Sequence, residues 1–280
     1  MNATEKKIVI PLAVAVLFAG AAIANAQISP GAAISININP ADQGTQTQMA
    51  PTDVAGAPGV AAGYWNSLAV SGNGNGYIGG SMSNLLDNSG AATTLNASAG
   101  AIPGGSGAWD TNFSNYGWNG ADLTMHTGGL EYDPQITISD VAYALYDIYV
   151  YLGGGANGGN AGGEISLSSL DENGAGVDPT QYQFFGYSWS GNNTYTQITS
   201  TDPASPGSGN YVLFTGNSAS SFTVNYESFP NDQWNGGVTG IEIVSTAPVP
   251  EPATPSLAAL GVASLAFAGF HSRRKFPARS

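Results

Sequence analysis

The sequence predicts an all-β domain, a jelly-roll or Greek-key β-sandwich, held between two apolar ends. Three observations lead there. Short runs alternating apolar and polar residues recur between turn signals, the pattern of half-buried strands. Long Gly- and Asn-rich connections separate them, as in 153–163 and 203–210. No internal repeat is present, which argues against a solenoid or propeller.

In chain order, Ala33–Asn39 (AISININ) is the first alternating run. Asp122–Thr127, Gln135–Ser139 and Glu164–Leu170 alternate in the same way. Ala144–Leu152 (ALYDIYVYL) is the strongest strand, with Tyr146, Ile148, Val150 and Leu152 on one face. Its other face, Leu145, Asp147, Tyr149 and Tyr151, is also largely aromatic, so the strand is expected at the centre of a sheet. Further strands are expected at Gln181–Tyr187, Tyr195–Ile198, Tyr211–Thr215, Ser221–Glu227 and Gly237–Val244. No convincing amphipathic helix is expected between the two ends. Roughly ten strands with long connections favour a jelly roll over an up-and-down barrel.

Charge is distributed unusually. Lys6, Lys7, Arg273, Arg274, Lys275 and Arg279 are all 6 cations of the chain, so none lies between Gln27 and Pro250. That stretch holds every one of the 19 carboxylates except Glu5 and Glu251, and a single histidine, His126. A domain without cations cannot neutralise phosphates, which excludes nucleic acid as a partner. It also cannot bind an anionic lipid surface through a basic patch. With 0 cysteines, no disulfide supports the fold, and burial must do so.

The N-terminus reads as an export signal. Glu5, Lys6 and Lys7 precede an apolar run from Ile8 to Ile23, and Ala24-Asn25-Ala26 is a small-x-small site, so signal peptidase is expected to cut before Gln27. The organisation is therefore 1–26 signal peptide, 27–244 sandwich, 245–255 Pro-rich linker, and 256–280 membrane helix with a basic tail.

That C-terminal end is specific in its order. Val249-Pro250-Glu251-Pro252 precedes the uncharged run Ser256–Phe270, which is followed by Arg273, Arg274 and Lys275. As a helix the run would span about 22 Å, a short anchor for a hydrocarbon core of about 30 Å. The three cations act as a stop-transfer signal on the cytoplasmic side and place the Pro-Glu-Pro motif outside. Residues 249–275 resemble the PEP-CTERM sorting signal of exported bacterial proteins. The resemblance implies an exosortase-type membrane protease as partner, a Gram-negative host that makes extracellular polysaccharide, and a final place at the cell surface or in the extracellular matrix.

Catalysis is poorly supplied: the exported stretch lacks thiols and cations and has one His, so a non-enzymatic protein is expected, with no cofactor required. A Ser-His-Asp triad would have to use His126, and glycoside hydrolysis would have to draw on Glu131 with Asp133, Asp171 with Glu172, or Glu227 with Asp232. The loop 171–178 offers Asp171, Asn173 and Asp178 around two glycines, a set that suits Ca²⁺. It lacks the twelfth-position Glu of an EF-hand, and a plain β-turn explains it as well. Trp65, Trp109, Trp118 and Trp189 are candidates for stacking on extracellular polysaccharide, with 109–118 expected as an exposed loop. Core packing is the competing explanation for each.

Overall fold

The computed structural model describes residues 32–40, 48–72, 77–100, 108–110, 117–130, 133–154, 162–170, 181–186, 194–229 and 236–246. Among these residues, fifteen strands join in one continuous sheet. They are β1 (Ala33–Pro40), β2 (Asn66–Gly72), β3 (Tyr77–Met82), β4 (Asn96–Ala99), β5 (Ala108–Asp110), β6 (Gly128–Leu130), β7 (Gln135–Ser139), β8 (Tyr146–Gly154), β9 (Gly163–Leu170), β10 (Gln181–Gly186), β11 (Gln197–Ile198), β12 (Gly207–Ser208), β13 (Tyr211–Asn217), β14 (Ser221–Ser228) and β15 (Gly236–Ser245). The order is β11-β13-β8-β15-β1-β2-β3-β4-β7-β14-β9-β10-β12, with β6 beside β15 and β5 beside β6.

The all-β expectation holds, and the two layers of the expected sandwich are halves of this one sheet. The first half runs from β11 to β2 and the second from β3 to β12. They meet where β2 passes to β3 through a register shift between Ser71 and Gly72. Gly79 there has φ +87°. At Gly80 a Cβ would lie 1.9 Å from the Ala69 carbonyl oxygen, so only glycine lets the strands approach this closely at the fold-over.

Period-two alternation explains what fills the space between the halves. Ile34, Ile36 and Ile38 of β1, Ile148 and Val150 of β8, and Ile241 and Ile243 of β15 project inward from the first half. Ile136 and Ile138 of β7, Ile165 and Leu167 of β9, and Phe222, Val224 and Tyr226 of β14 meet them from the second. Tyr146 stacks obliquely on Phe222 across the core at 5.9 Å and donates to the Ala219 carbonyl at 2.7 Å. As expected from its two apolar faces, β8 is central, flanked by β13 and β15.

The two ends of the sheet also come together. β10 and β11 lie on opposite ends of the pairing order, yet the Phe184 N–H donates to the Ser200 carbonyl at 2.8 Å and the Gln183 side-chain amide to the Leu213 carbonyl at 3.1 Å. The sheet is thus close to a flattened barrel, which leaves few unpaired strand edges.

β1 and β2 are parallel neighbours. A parallel pair cannot be joined by a hairpin, so the intervening chain must cross a face of the sheet. Residues 48–65 belong to that crossover and roof the outer face of the first half, which is why even Ser35, Asn37 and Asn39 of β1 are buried rather than facing water as their alternation implied.

The segment Asp122–Thr127 is not a strand. It lies in the helix α1 (Gly120–Thr127), the one helix among the described residues. Six residues are too few for alternation to fix the period, and here Met125 and His126, adjacent in sequence, are the buried pair of the helix. β15 also extends one residue past the expected end, to Ser245, and the Thr246 N–H still donates to the Leu145 carbonyl at 3.0 Å. The expected signal peptide and C-terminal helix lie outside the described residues, among which no helix is long and apolar enough to cross a membrane.

Candidate functional site

The most distinctive chemistry sits under the roof. Glu242 on β15 is 0% exposed. Its Oε2 accepts a hydrogen bond from the Tyr151 phenol of neighbouring β8 at 2.7 Å. That phenol oxygen in turn accepts the Ala57 N–H of the roof at 2.9 Å. One residue earlier, the Gly56 N–H donates to Asp122 Oδ1 of α1 at 3.1 Å, and the Tyr195 hydroxyl donates to the same oxygen at 2.5 Å. Roof, helix and sheet are therefore joined through two carboxyl groups and two phenols.

Ser35 of β1 pairs with Glu242 across the strands, and Ser35 Oγ and Glu242 Oε1 are both buried there. Burial pushes the Glu242 carboxyl up to about 8, against the opposing effects of the Tyr151 and Ser35 hydroxyls. Near neutrality the acid is therefore protonated, because a neutral carboxyl costs far less than a carboxylate where no cation is present. Tyr151 is raised well above the ordinary phenol value by burial and then by Glu242. Tyr195 is raised by burial and by Asp122.

Aromatic rings pack around this network. Trp65 lies 6.0 Å from Tyr151, and its indole N–H donates to the Ala62 carbonyl at 2.8 Å. Trp118 stacks on His126 at 4.2 Å and 29°, with Tyr195 at 5.2 Å. His126 Nδ1 lies 3.2 Å from Thr239 Oγ1, while Nε2 is buried without a partner, and burial pushes the imidazole down to about 3. This histidine is neutral across the physiological range.

Several predicted residues are therefore placed differently from what the sequence implied. Trp65 and Trp118 are 5% and 3% exposed and offer no free ring face. They are held in the core because loop 48–65 and α1 need large rings to fill the gap above the sheet. Trp109 lies in β5, not in a loop, and Trp189 is outside the described residues. Asp171, Asn173 and Asp178 are also outside them, as are Ala24, Ala26, Gln27, Val249, Pro250, Glu251, Pro252, Arg273, Arg274 and Lys275. Among the described residues, no three acidic or histidine side chains gather as a metal site.

The paired carboxylates behave separately. Asp133 accepts the Ser228 N–H at 2.8 Å and hydroxyl at 2.9 Å, and Glu227 is exposed on β14. Glu131, Asp171, Glu172 and Asp232 fall outside the described residues. His126 has Thr239 and Trp118 as neighbours rather than a Ser-Asp pair. Sequence reasoning passed over Glu242, the residue on which the network turns. Its only signal was a lone acid inside the strongly apolar run IEIV.

Residues 248–275 match the PEP-CTERM protein-sorting motif. The motif covers about a tenth of the chain and marks an exported protein sorted at its C-terminus by a membrane-associated route, with an exosortase as the processing partner. No curated protein matches the chain. Among solved structures, the chain is similar to the enzymatically active domain of bacteriophage CBA120 tailspike protein 4, at 11% identity and TM-score 0.22, covering 64% of this chain and 18% of that one. It is also similar to the Arthrobacter globiformis T6 isomalto-dextranase complexed with panose, at 10% identity and TM-score 0.23, covering 59% and 23%. A third is a carbohydrate-binding module specific for non-crystalline cellulose, CBM28, at 11% identity and TM-score 0.24, covering 74% and 94%. The chain thus spans about a fifth of the length of the first two.

Proposed function

We propose that this is a non-enzymatic exported protein, released from its membrane anchor by C-terminal processing, with a structural or adhesive role at the cell surface or in an extracellular matrix. The PEP-CTERM match at 248–275 carries the reading. The rest of the chain is consistent with it: a stable cation-free β-domain, a jelly-roll or Greek-key sandwich in this reading, is placed outside the cell by the signal peptide at 1–26. The host is then a Gram-negative bacterium that makes extracellular polysaccharide. Against an enzyme stands the position of Glu242, the one carboxyl among the described residues held protonated near neutrality, which is 0% exposed beneath the roof.

A glycan-binding role is the second reading. The outer face of the second half-sheet favours it, being polar and carrying Tyr182 at 47% exposure.

Expression of the wild type, a 249–280 deletion and Glu251→Ala, with and without an exosortase, tests the first reading. The wild type should shorten and leave the membrane fraction only with the protease. The deletion should be soluble and folded, and Glu251→Ala should stay membrane-bound at precursor size. Equal size and membrane retention of the wild type in both hosts would show a plain anchor.

A further inference from the structure

The two outer faces of this sheet have opposite fates. One is roofed by 48–65 and α1, and its polar groups are buried. The other, formed by β3, β4, β7, β14, β9 and β10, exposes Ser98, Gln135, Tyr182 and Glu227. Strand register arranges its side chains in straight rows. Ser81 pairs with Ser98, Ser98 with Thr137, Thr137 with Thr223, and Thr223 with Ser168, a row of five hydroxyls across five strands. At about 4.8 Å per strand the row is about 19 Å long. The next outward row, about 6.7 Å along the strands, is Gln135, Asn225, Ser166 and Tyr182. Tyr182 ends that row as an exposed ring, held edge-on against Phe184 at 5.6 Å, which is stacked in turn on Phe229.

We infer that this face binds a neutral polysaccharide, laid across these two rows with a sugar ring against Tyr182. Serine, threonine, asparagine and glutamine each donate and accept, as sugar hydroxyls do, so the rows offer matched partners at a regular spacing. An aromatic ring beside such groups supplies the apolar contact that a pyranose face requires. Charge selects against anionic chains: Glu164 and Glu227 pair directly on this face, and no Lys or Arg lies between Gln27 and Pro250 to offset them. Thr137 and Thr223 already lie 3.0 Å apart, and Asn225 Nδ2 donates to Ser168 Oγ at 3.0 Å, so the rows are held in place before any ligand arrives. The inference rests on the adhesive reading for its place in the cell, and it names the surface that adheres.

Affinity electrophoresis of the full-length chain in mild detergent tests it, with hydroxyethyl cellulose, dextran or amylose in the gel and alginate as the anionic counterpart. At least one neutral glucan should retard the wild type and alginate should not. Tyr182→Ala should weaken retardation about tenfold. Thr137→Val with Thr223→Val should weaken it too, with melting temperatures close to wild type. Should the Thr variants fail to fold, exposed Tyr182→Ala still decides. No retardation by any of the three neutral glucans, equal retardation by alginate, or an unaltered Tyr182→Ala would each overturn the inference. Fractionation reports where the protein goes and electrophoresis what it holds, so either result can fail alone.

Discussion

The Tyr151 phenol donates to Glu242 Oε2 at 2.7 Å while accepting the Ala57 N–H at 2.9 Å, so one hydroxyl ties a buried acid to the loop above it. Tyr149 and Tyr151 of β8, Ser35 of β1, Gly56 of the roof, and beyond it Asp122 and Tyr195 surround that acid, and none of them is a cation. The tie is compatible with either charge state of Glu242, but the site is not.

Stability should therefore fall on the alkaline side. Folding raises the Glu242 carboxyl from its ordinary 4.5 to about 8, so the native state holds a proton that the unfolded state has lost. The group's full contribution is present below 4.5 and disappears as pH rises to about 8, at about 1.4 kcal/mol per pH unit. Glu242→Gln, which retains an oxygen for Tyr151, should flatten this limb. A denaturation series from pH 5 to 9 in which the variant tracks the wild type would show that Glu242 does not govern it.

His126 should produce the opposite limb. Burial lowers it from 6.5 to about 3, so the unfolded state binds the proton first, and stability falls as pH drops from 6.5 toward 3. Between 4.5 and 6.5 the two slopes oppose each other. The domain should have a broad stability maximum there, and His126→Gln should remove the acid-side decline once its own cost at pH 6 is subtracted.

Gly56→Ala tests the roof directly. Gly56 has φ +116°, and a Cβ would lie 2.9 Å from the Tyr151 hydroxyl and 3.0 Å from Glu242 Oε2. The substitution should cost about 1–3 kcal/mol and shift Trp65 fluorescence to the red as the roof lifts. Unchanged melting and emission would mean the loop gives way freely.

The loop 171–178 is tested by metal removal. If Asp171, Asn173 and Asp178 hold Ca²⁺, chelator should lower the melting temperature and Asp171→Ala should abolish that sensitivity. Indifference to chelator leaves the turn.

At the front of the chain, the exported form should begin at Gln27. Recovery of Met1 or Asn2 by mass spectrometry of exported protein would refute cleavage after Ala26.

Much of the sheet was legible because its strongest strands state their period plainly. Gln135–Ser139 alternates cleanly and is β7, and both faces of β8 are apolar or aromatic because both are covered. Six strands escaped notice: β4 (NASA), β6 (GGL) and the Gly-Gly-Ser centre of β3 (YIGGSM) are built from small residues placed by their neighbours, β5 and β12 are only three and two residues long, and β2 (NSLAVSG) has just two large apolar residues, Leu68 and Val70. The roof has no period at all. Its burial follows from the parallel β1–β2 pairing, a fact of topology, so the sequence left Trp65 and Trp118 open between core and glycan contact and gave no sign that Glu242 is enclosed. The opposite face left a signal too diffuse to notice, since its rows form only when strands far apart in the chain fall into register.

The pairing of β1 with β15 has a mechanical consequence. Ala33 lies opposite Val244, so the chain enters and leaves the domain at one spot, and the sorting motif follows within a few residues of Ser245. A tether there pulls lengthwise on a ten-residue strand laddered to β8 and β1 along its two sides. Such a load shears many hydrogen bonds at once instead of peeling them one by one.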